Sequence, residues 1–381
     1  MDKAQLNLWT RILAAGNLAK EGVLGKNLRN SNKEELGMEI DYSEIQRTLD
    51  QAESESGLDF AGLVADLLGN GEALSAKGII GLLWEHISLD LSGYGTIFLQ
   101  IAGIAIGAAV LKSMTESFQN RQVSETGFFV TYLLLFAVLL SGFALSFEVA
   151  KKTIGWVVLF MQCLVPAYSL AVAFCTGSAT SLMFYQGILL IISLVELVVL
   201  NILLPLVNVY LILMLVNRFS KEESLKQMAD LVRQLVMWGA KTLFGLVIGI
   251  QMVQGLILPV SDKVKRSLLY KTAEMIPGIG NAVGGVTETV LGTGLLLKNA
   301  VGVAGLLVLI LVCAAPFGKL LLEYIVCKLS AGVLQPISDK RIIGSLEAAA
   351  EASRLLLYLT GMTVLMFAVA VSLVAASTGI H

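Results

Sequence analysis

Residues 275–302 read MIPGIGNAVGGVTETVLGTGLLLKNAVG. The stretch is apolar enough to lie in lipid, yet it holds seven glycines, Pro277, Glu288 and Lys298. Each interior glycine costs a helix about 1 kcal/mol relative to alanine, and a proline about 3 kcal/mol. Broken backbone at membrane depth survives only where protein buries it or where it lines a water-filled cavity. Residues 267–297 therefore read as a re-entrant or broken-helix hairpin, with Pro277, Gly278 and Gly280 in the turning part.

The rest of the chain supplies the membrane around such a hairpin. Its 381 residues are 56% hydrophobic and only 15% charged, with a mean hydropathy of +0.78. A soluble protein carries about 25% charged residues. From Gly93 onward, apolar runs of about 20 residues recur, the length that crosses a hydrocarbon core. Full spans are expected at about 93–115, 127–147, 187–216, 236–259, 300–322 and 355–377. The expected fold is all-α and polytopic: about six transmembrane helices plus two re-entrant or broken hairpins, at 154–185 and 267–297.

A small helical region precedes the membrane part. Residues 1–92 hold 8 Lys+Arg against 15 Asp+Glu, a net of −7, whereas residues 93–381 hold 19 against 14, a net of +5. This acidic front suits an extracytoplasmic side and excludes a nucleic-acid partner, which calls for a basic patch. The start of the chain lacks the apolar core of a signal peptide. On an outer side, it needs Gly93–Leu111 as an uncleaved reverse anchor or a signal removed beforehand. Ser43 and Gln46 have capping-box spacing. Phe60, Leu63, Val64, Leu67 and Leu68 follow helical periodicity, and residues 77–91 suit a helix lying on the membrane surface.

The punctuation suggests a parallel repeat. Pro166 and Pro205 are 39 residues apart, as are Pro277 and Pro316, and the two pairs are offset by 111. Each pair is followed by an amphipathic charged stretch and another span. Transporters and channels place sites at such repeat interfaces.

Candidate chemistry is sparse. The two histidines, His86 and His381, lie at opposite ends of the chain, so neither a buried Ser–His dyad nor a multi-histidine metal site can form. The expected role is non-enzymatic, without cofactor or metal. The four cysteines have no C-x-x-C spacing and read as small buried thiols. What remains is polar groups at membrane depth, which cost at least about 2.5–3.5 kcal/mol each when ionisable and so should face protein or water. The candidate conduit or hairpin residues are Glu196, Gln254, Pro277, Gly278, Gly280, Glu288, Lys298 and Asn299. Asn201, Asn208, Lys241, Gln251 and Lys319 are further polar groups, the two lysines near span ends where they can snorkel. Gly103, Gly107, Gly245 and Gly249 form G-x-x-x-G pairs for close helix packing and oligomer contacts.

VQG at Val253–Gly255, MIPGIG at 275–280, TETVLGTGLLLKNAVG at 287–302 and LQP at Leu334–Pro336 together resemble the stage III sporulation protein AE family of endospore-forming bacteria. The resemblance covers roughly residues 40–381 and is densest from Gln254 to Pro336. It implies a multi-spanning protein of the mother-cell membrane surrounding the forespore. There it would join other products of its operon, a secretion-type ATPase and ring-forming subunits, in a channel complex, the "feeding tube". The family has no established catalytic residues to carry over. The expected partners are thus those proteins, the lipid bilayer and further copies in a homo- or hetero-oligomer. The competing expectation from the residues alone is a stand-alone secondary transporter of a small solute.

Overall fold

The computed structural model describes residues 41–51, 59–69, 121–175, 178–219, 225–274, 280–336 and 338–377, with Leu99 and Gly103; side chains at 255–291 and at a few helix ends lie outside this set. Two short helices come first, α1 (Ser43–Gln51) and α2 (Phe60–Gly69). Six longer segments follow: α3 (Arg121–Cys175), α4 (Ser178–Leu194), a π-helical segment (Val195–Leu203), α5 (Leu204–Phe219), α6 (Lys226–Glu274) and α7 (Gly280–Leu334). The last described helix is α8 (Lys340–Ser377). No strand occurs among the described residues. The fold is all-α, as expected.

Among the described residues, five segments are long and apolar enough to cross a membrane: Phe129–Cys175, Thr180–Arg218, Lys226–Gln254, Gly292–Leu334 and Lys340–Ala375. The protein is an integral membrane protein. The expected span at 93–115 and surface helix at 77–91 lie outside the described residues, as do 275–279 at the turn of the second hairpin.

Helix boundaries differ from the sequence expectation in an instructive way. The span expected at 127–147 and the hairpin limb beginning at 154 form one 55-residue helix. The stretch between them, EVAKKT, contains neither glycine nor proline, and Lys151 and Lys152 simply point outward. Charge alone does not end a helix. Likewise, Lys298 and Asn299 do not separate a hairpin limb from a span, because α7 runs through them. A 55-residue helix is about 80 Å long, against a hydrocarbon core of about 30 Å, so only part of α3 or α7 can lie in lipid. Over the region expected as a hairpin, 154–185, α3 and α4 pack against each other, and the Ser181 hydroxyl donates to the carbonyl of Ser169.

Prolines are absorbed differently. Pro166 and Pro316 sit inside α3 and α7. Pro205 lies one residue beyond the π-helical segment, whose capping Leu204 N–H bonds to the Val199 carbonyl, one residue further back than in an α-helix. Such bulges commonly accompany helix kinks.

Aspartates set three helix starts. Asp41 accepts from Ser43 N–H at 2.9 Å, Asp59 from Ala61 N–H at 3.1 Å, and Asp339 from Arg341 N–H at 2.9 Å. The expected Ser43–Gln46 box does not form, because Gln46 is used elsewhere: its Oε1 accepts from Phe60 N–H at 3.0 Å. That bond ties α2 to α1. The Ser43 hydrogen bonds also hold the Asp41 carboxyl below its ordinary pKa.

Helix α8 is the hub, packing against α3, α5, α6 and α7. Its buried Ala348, Ala349, Ala350 and Ala352 allow the close approach that membrane bundles need, since lipid gives no hydrophobic drive to helix association. The front helices also join the bundle, α1 on α3 and α2 on α7. Trp156 Nε1 donates to the Thr48 carbonyl at 3.1 Å, and the Thr48 hydroxyl lies 3.3 Å from Cys163 Sγ.

Candidate functional site

The second half of the opening stretch forms a seam between α7 and α3. At Gly294 an added Cβ would lie 2.8 Å from Phe174 Cβ and 3.1 Å from the Phe174 backbone carbon. At Gly302 it would meet the Tyr168 ring at 3.3 Å, and at Gly305 the Leu164 side chain at 2.6 Å. These glycines are thus positions of contact, required because two helix backbones or a helix and a ring approach closely there.

Lys298 lies in the same part of α7. It is fully buried, and its Nζ donates to the Ala375 carbonyl at 2.9 Å, near the C-terminus of α8. Helix C-terminal carbonyls lack intrahelical partners, and a cation there also complements the helix dipole. Close by, the Tyr168 hydroxyl donates to the Val371 carbonyl at 3.3 Å. Near the other end of α8, the Tyr132 hydroxyl donates to Leu215 O at 2.6 Å and lies 3.0 Å from Ser345 Oγ. Gly344 admits the Arg218 guanidinium, whose Nε would be 2.7 Å from a Cβ there.

Two glutamines on α6 are handled differently. Gln251 is buried, and neither atom of its amide has a hydrogen-bond partner among the described residues. Gln254 Oε1 is buried without a partner in the same sense. Its amide lies against Gly187 of α4, where a Cβ would overlap it. Buried amide atoms left unpaired cost about 1–3 kcal/mol each and call for a water, an ion or a partner.

The remaining sequence candidates scatter. Glu196 and Asn201 are exposed on the π-helical segment, and Asn299 is exposed on α7. Asn208 and Glu148 share a groove of about 440 Å³ with Leu140, Phe143, Ala144, Phe147 and Ile212. Gly280 begins α7 and Glu288 lies on it, but their side-chain surroundings, together with Pro277, Gly278 and Gly107, fall outside the described residues. Gly103, Gly245 and Gly249 have nothing within 4 Å of an added Cβ. Among the described residues they pack against no neighbour.

Two features were missed in the sequence. Glu323 is 3% exposed, with Cys327 Sγ 3.8 Å from its Oε1 and Gly142 alongside. The expected end of a span at 322 had placed it outside, although LLLEYIVCKL continues the apolar run. The second is an ion cluster: Arg233 Nε and Arg354 each lie 2.6 Å from Glu351 Oε1. The Glu351–Arg354 spacing of three on one helix was its only legible half.

Residues 58–378 match the family described as Stage III sporulation protein AE (spore_III_AE). The chain belongs to the stage III sporulation protein AE family. The matched region takes in α2 to α8 and therefore the α7–α3 seam, Lys298 and the α6 glutamines. A relative within this family, Stage III sporulation protein AE of Bacillus subtilis (strain 168), is 25% identical over 292 residues, covering 76% of this chain and 73% of its own length. No solved structure matches the chain.

Proposed function

We propose that this sporulation-family membrane protein is a non-enzymatic subunit of a secretion-like channel complex linking mother cell and forespore, providing pore or scaffold. In this reading it resides in the mother-cell membrane around the forespore. An ATPase and ring-forming proteins of the same operon supply the energy and the remaining walls.

The observation that supports assembly is the outer face of α6. Gly245 and Gly249 present a small-x-x-x-small notch with open space in front of it, flanked by exposed Leu246, Met252 and Val253. A notch left unfilled by the described residues suits a helix from another subunit, since small residues permit the close van der Waals packing on which lipid-embedded association depends. The interior supports the same reading. Lys298, Tyr132 and Tyr168 are tied to backbone carbonyls, so the packed centre near them holds structure together, and a conduit is more readily built between chains.

Molar mass in detergent or nanodiscs tests this directly. The wild type is expected as an oligomer or in stable association with its operon partners, and Gly245→Leu with Gly249→Leu should shift it toward monomer. A monomeric wild-type protein that alone moves a defined solute across liposomes would favour the transporter reading and sink this one.

A further inference from the structure

A groove of about 500 Å³ lies between α6, α7 and α8, within the range of sites that hold one small ligand. Two cations, Lys241 and Arg354, belong to its lining, and the rest is apolar or aromatic, including Phe244, Phe317, Gly361 and Leu365. Gly361 makes room for this architecture, because a Cβ there would sit 3.0 Å from the Phe317 ring.

We propose that this groove binds an anionic phospholipid taken from the bilayer, its phosphate held by Lys241 and Arg354 and an acyl chain lying along Phe244, Phe317 and Leu365. Charge comes first. Lys241 is exposed and has no ion-pair partner among the described residues. Arg354 shares Glu351 with Arg233, so one carboxylate answers two guanidinium groups. The lining of the groove itself carries two cations, Lys241 and Arg354, and no acid. An anion restores the balance.

Position comes second. The helix before Arg354 carries Lys340, Arg341, Glu347 and Glu351, whereas residues 355–375 carry no charge. On α6, Asp230 and Arg233 precede the apolar run that contains Lys241. The cations therefore mark the polar edge of the apolar zone. Gly361 and Leu365 of α8 and Phe244 of α6 lead inward from it. A headgroup at the edge with a chain running inward matches that polarity, and basic sites between membrane helices are known to take anionic headgroups. Leu365 is 56% exposed, so the inner end opens on the outer surface of the bundle.

The test is native mass spectrometry of the full chain, delipidated in detergent and offered phosphatidylglycerol or phosphatidylcholine. One phosphatidylglycerol should be retained and phosphatidylcholine not. Lys241→Gln should weaken retention about fivefold, and Lys241→Gln with Arg354→Gln at least about twentyfold. The single variant changes an exposed side chain, so it keeps the test valid should the double variant fail to fold. Equal retention of both lipids, or undiminished retention by Lys241→Gln, overturns the proposal. So does displacement by inorganic phosphate, which would show a site for a free anion only.

Discussion

Lys298 of α7 and Ala375 of α8 are joined by a 2.9 Å hydrogen bond from Nζ to the carbonyl, across 77 residues of chain. Lys298→Met keeps most of the volume and removes the donor, so it should cost about 1–3 kcal/mol. Lys298→Ala adds a cavity and should cost more, about 2–5 kcal/mol on the scale of large-to-small core substitutions. Thermal unfolding in detergent measures both. Wild-type stability in the alanine variant would mean that this bond and its packing contribute nothing.

The glycine seam gives an internal contrast. Gly294→Ala drives a methyl onto Phe174 Cβ and backbone, neither of which can swing away, so overpacking should destabilise the protein by about 1–3 kcal/mol. Gly245→Ala meets open space and should leave the isolated chain unchanged or slightly more stable, because alanine is the better helix former by up to about 1 kcal/mol. Equal losses in the two variants would refute this distinction between inward and outward glycines.

Docking of α1 on α3 can be trapped covalently. With the Thr48 hydroxyl 3.3 Å from Cys163 Sγ, Thr48→Cys should form an intrachain disulfide with Cys163 under a mild oxidant. Mass spectrometry would show the cross-linked peptide, and Cys163→Ser in the same background should abolish it. A thiol that stays fully reduced would place α1 elsewhere.

Tyr42 offers a pH-dependent test outside the spans. Its hydroxyl is buried without a hydrogen-bond partner among the described residues, and burial pushes its pKa up to about 12. The folded value lies above the unfolded value of about 10. This contribution to stability is therefore fully present below pH 10 and is lost as pH rises through about 12. Tyr42→Phe removes the titration and the unpaired hydroxyl. It should be neutral or stabilising at pH 8 and should flatten the alkaline loss between pH 10 and 12, read as the melting temperature of each protein.

Much of this architecture was legible because lipid restricts the choices. Long apolar runs in α4, α5, α7 and α8 could only be helices, and family membership rested on motifs clustered from Gln254 to Pro336. Helix ends were less legible. Lys151 and Lys152 looked like a boundary, yet a helix needs only suitable φ/ψ and backbone hydrogen bonds, which lysine satisfies as well as leucine. Lys298 shows the same limit at the candidate site. Its charge in an apolar run was visible, but its acceptor is a backbone carbonyl on another helix, and a main-chain atom leaves no trace in the pattern of side chains. The Arg233–Glu351 contact joins positions 118 apart, which periodicity along one helix cannot reveal.

Chain order gives the hub position of α8 a further meaning. Ser345, Val371 and Ala375 are the groups that meet Tyr132, Tyr168 and Lys298 from earlier helices, and they leave the ribosome after all three. Until α8 arrives, the hydrogen bonds from Tyr168 to Val371 and from Lys298 to Ala375 cannot form. The contacts that close this bundle onto Tyr168 and Lys298 thus depend on the last described helix.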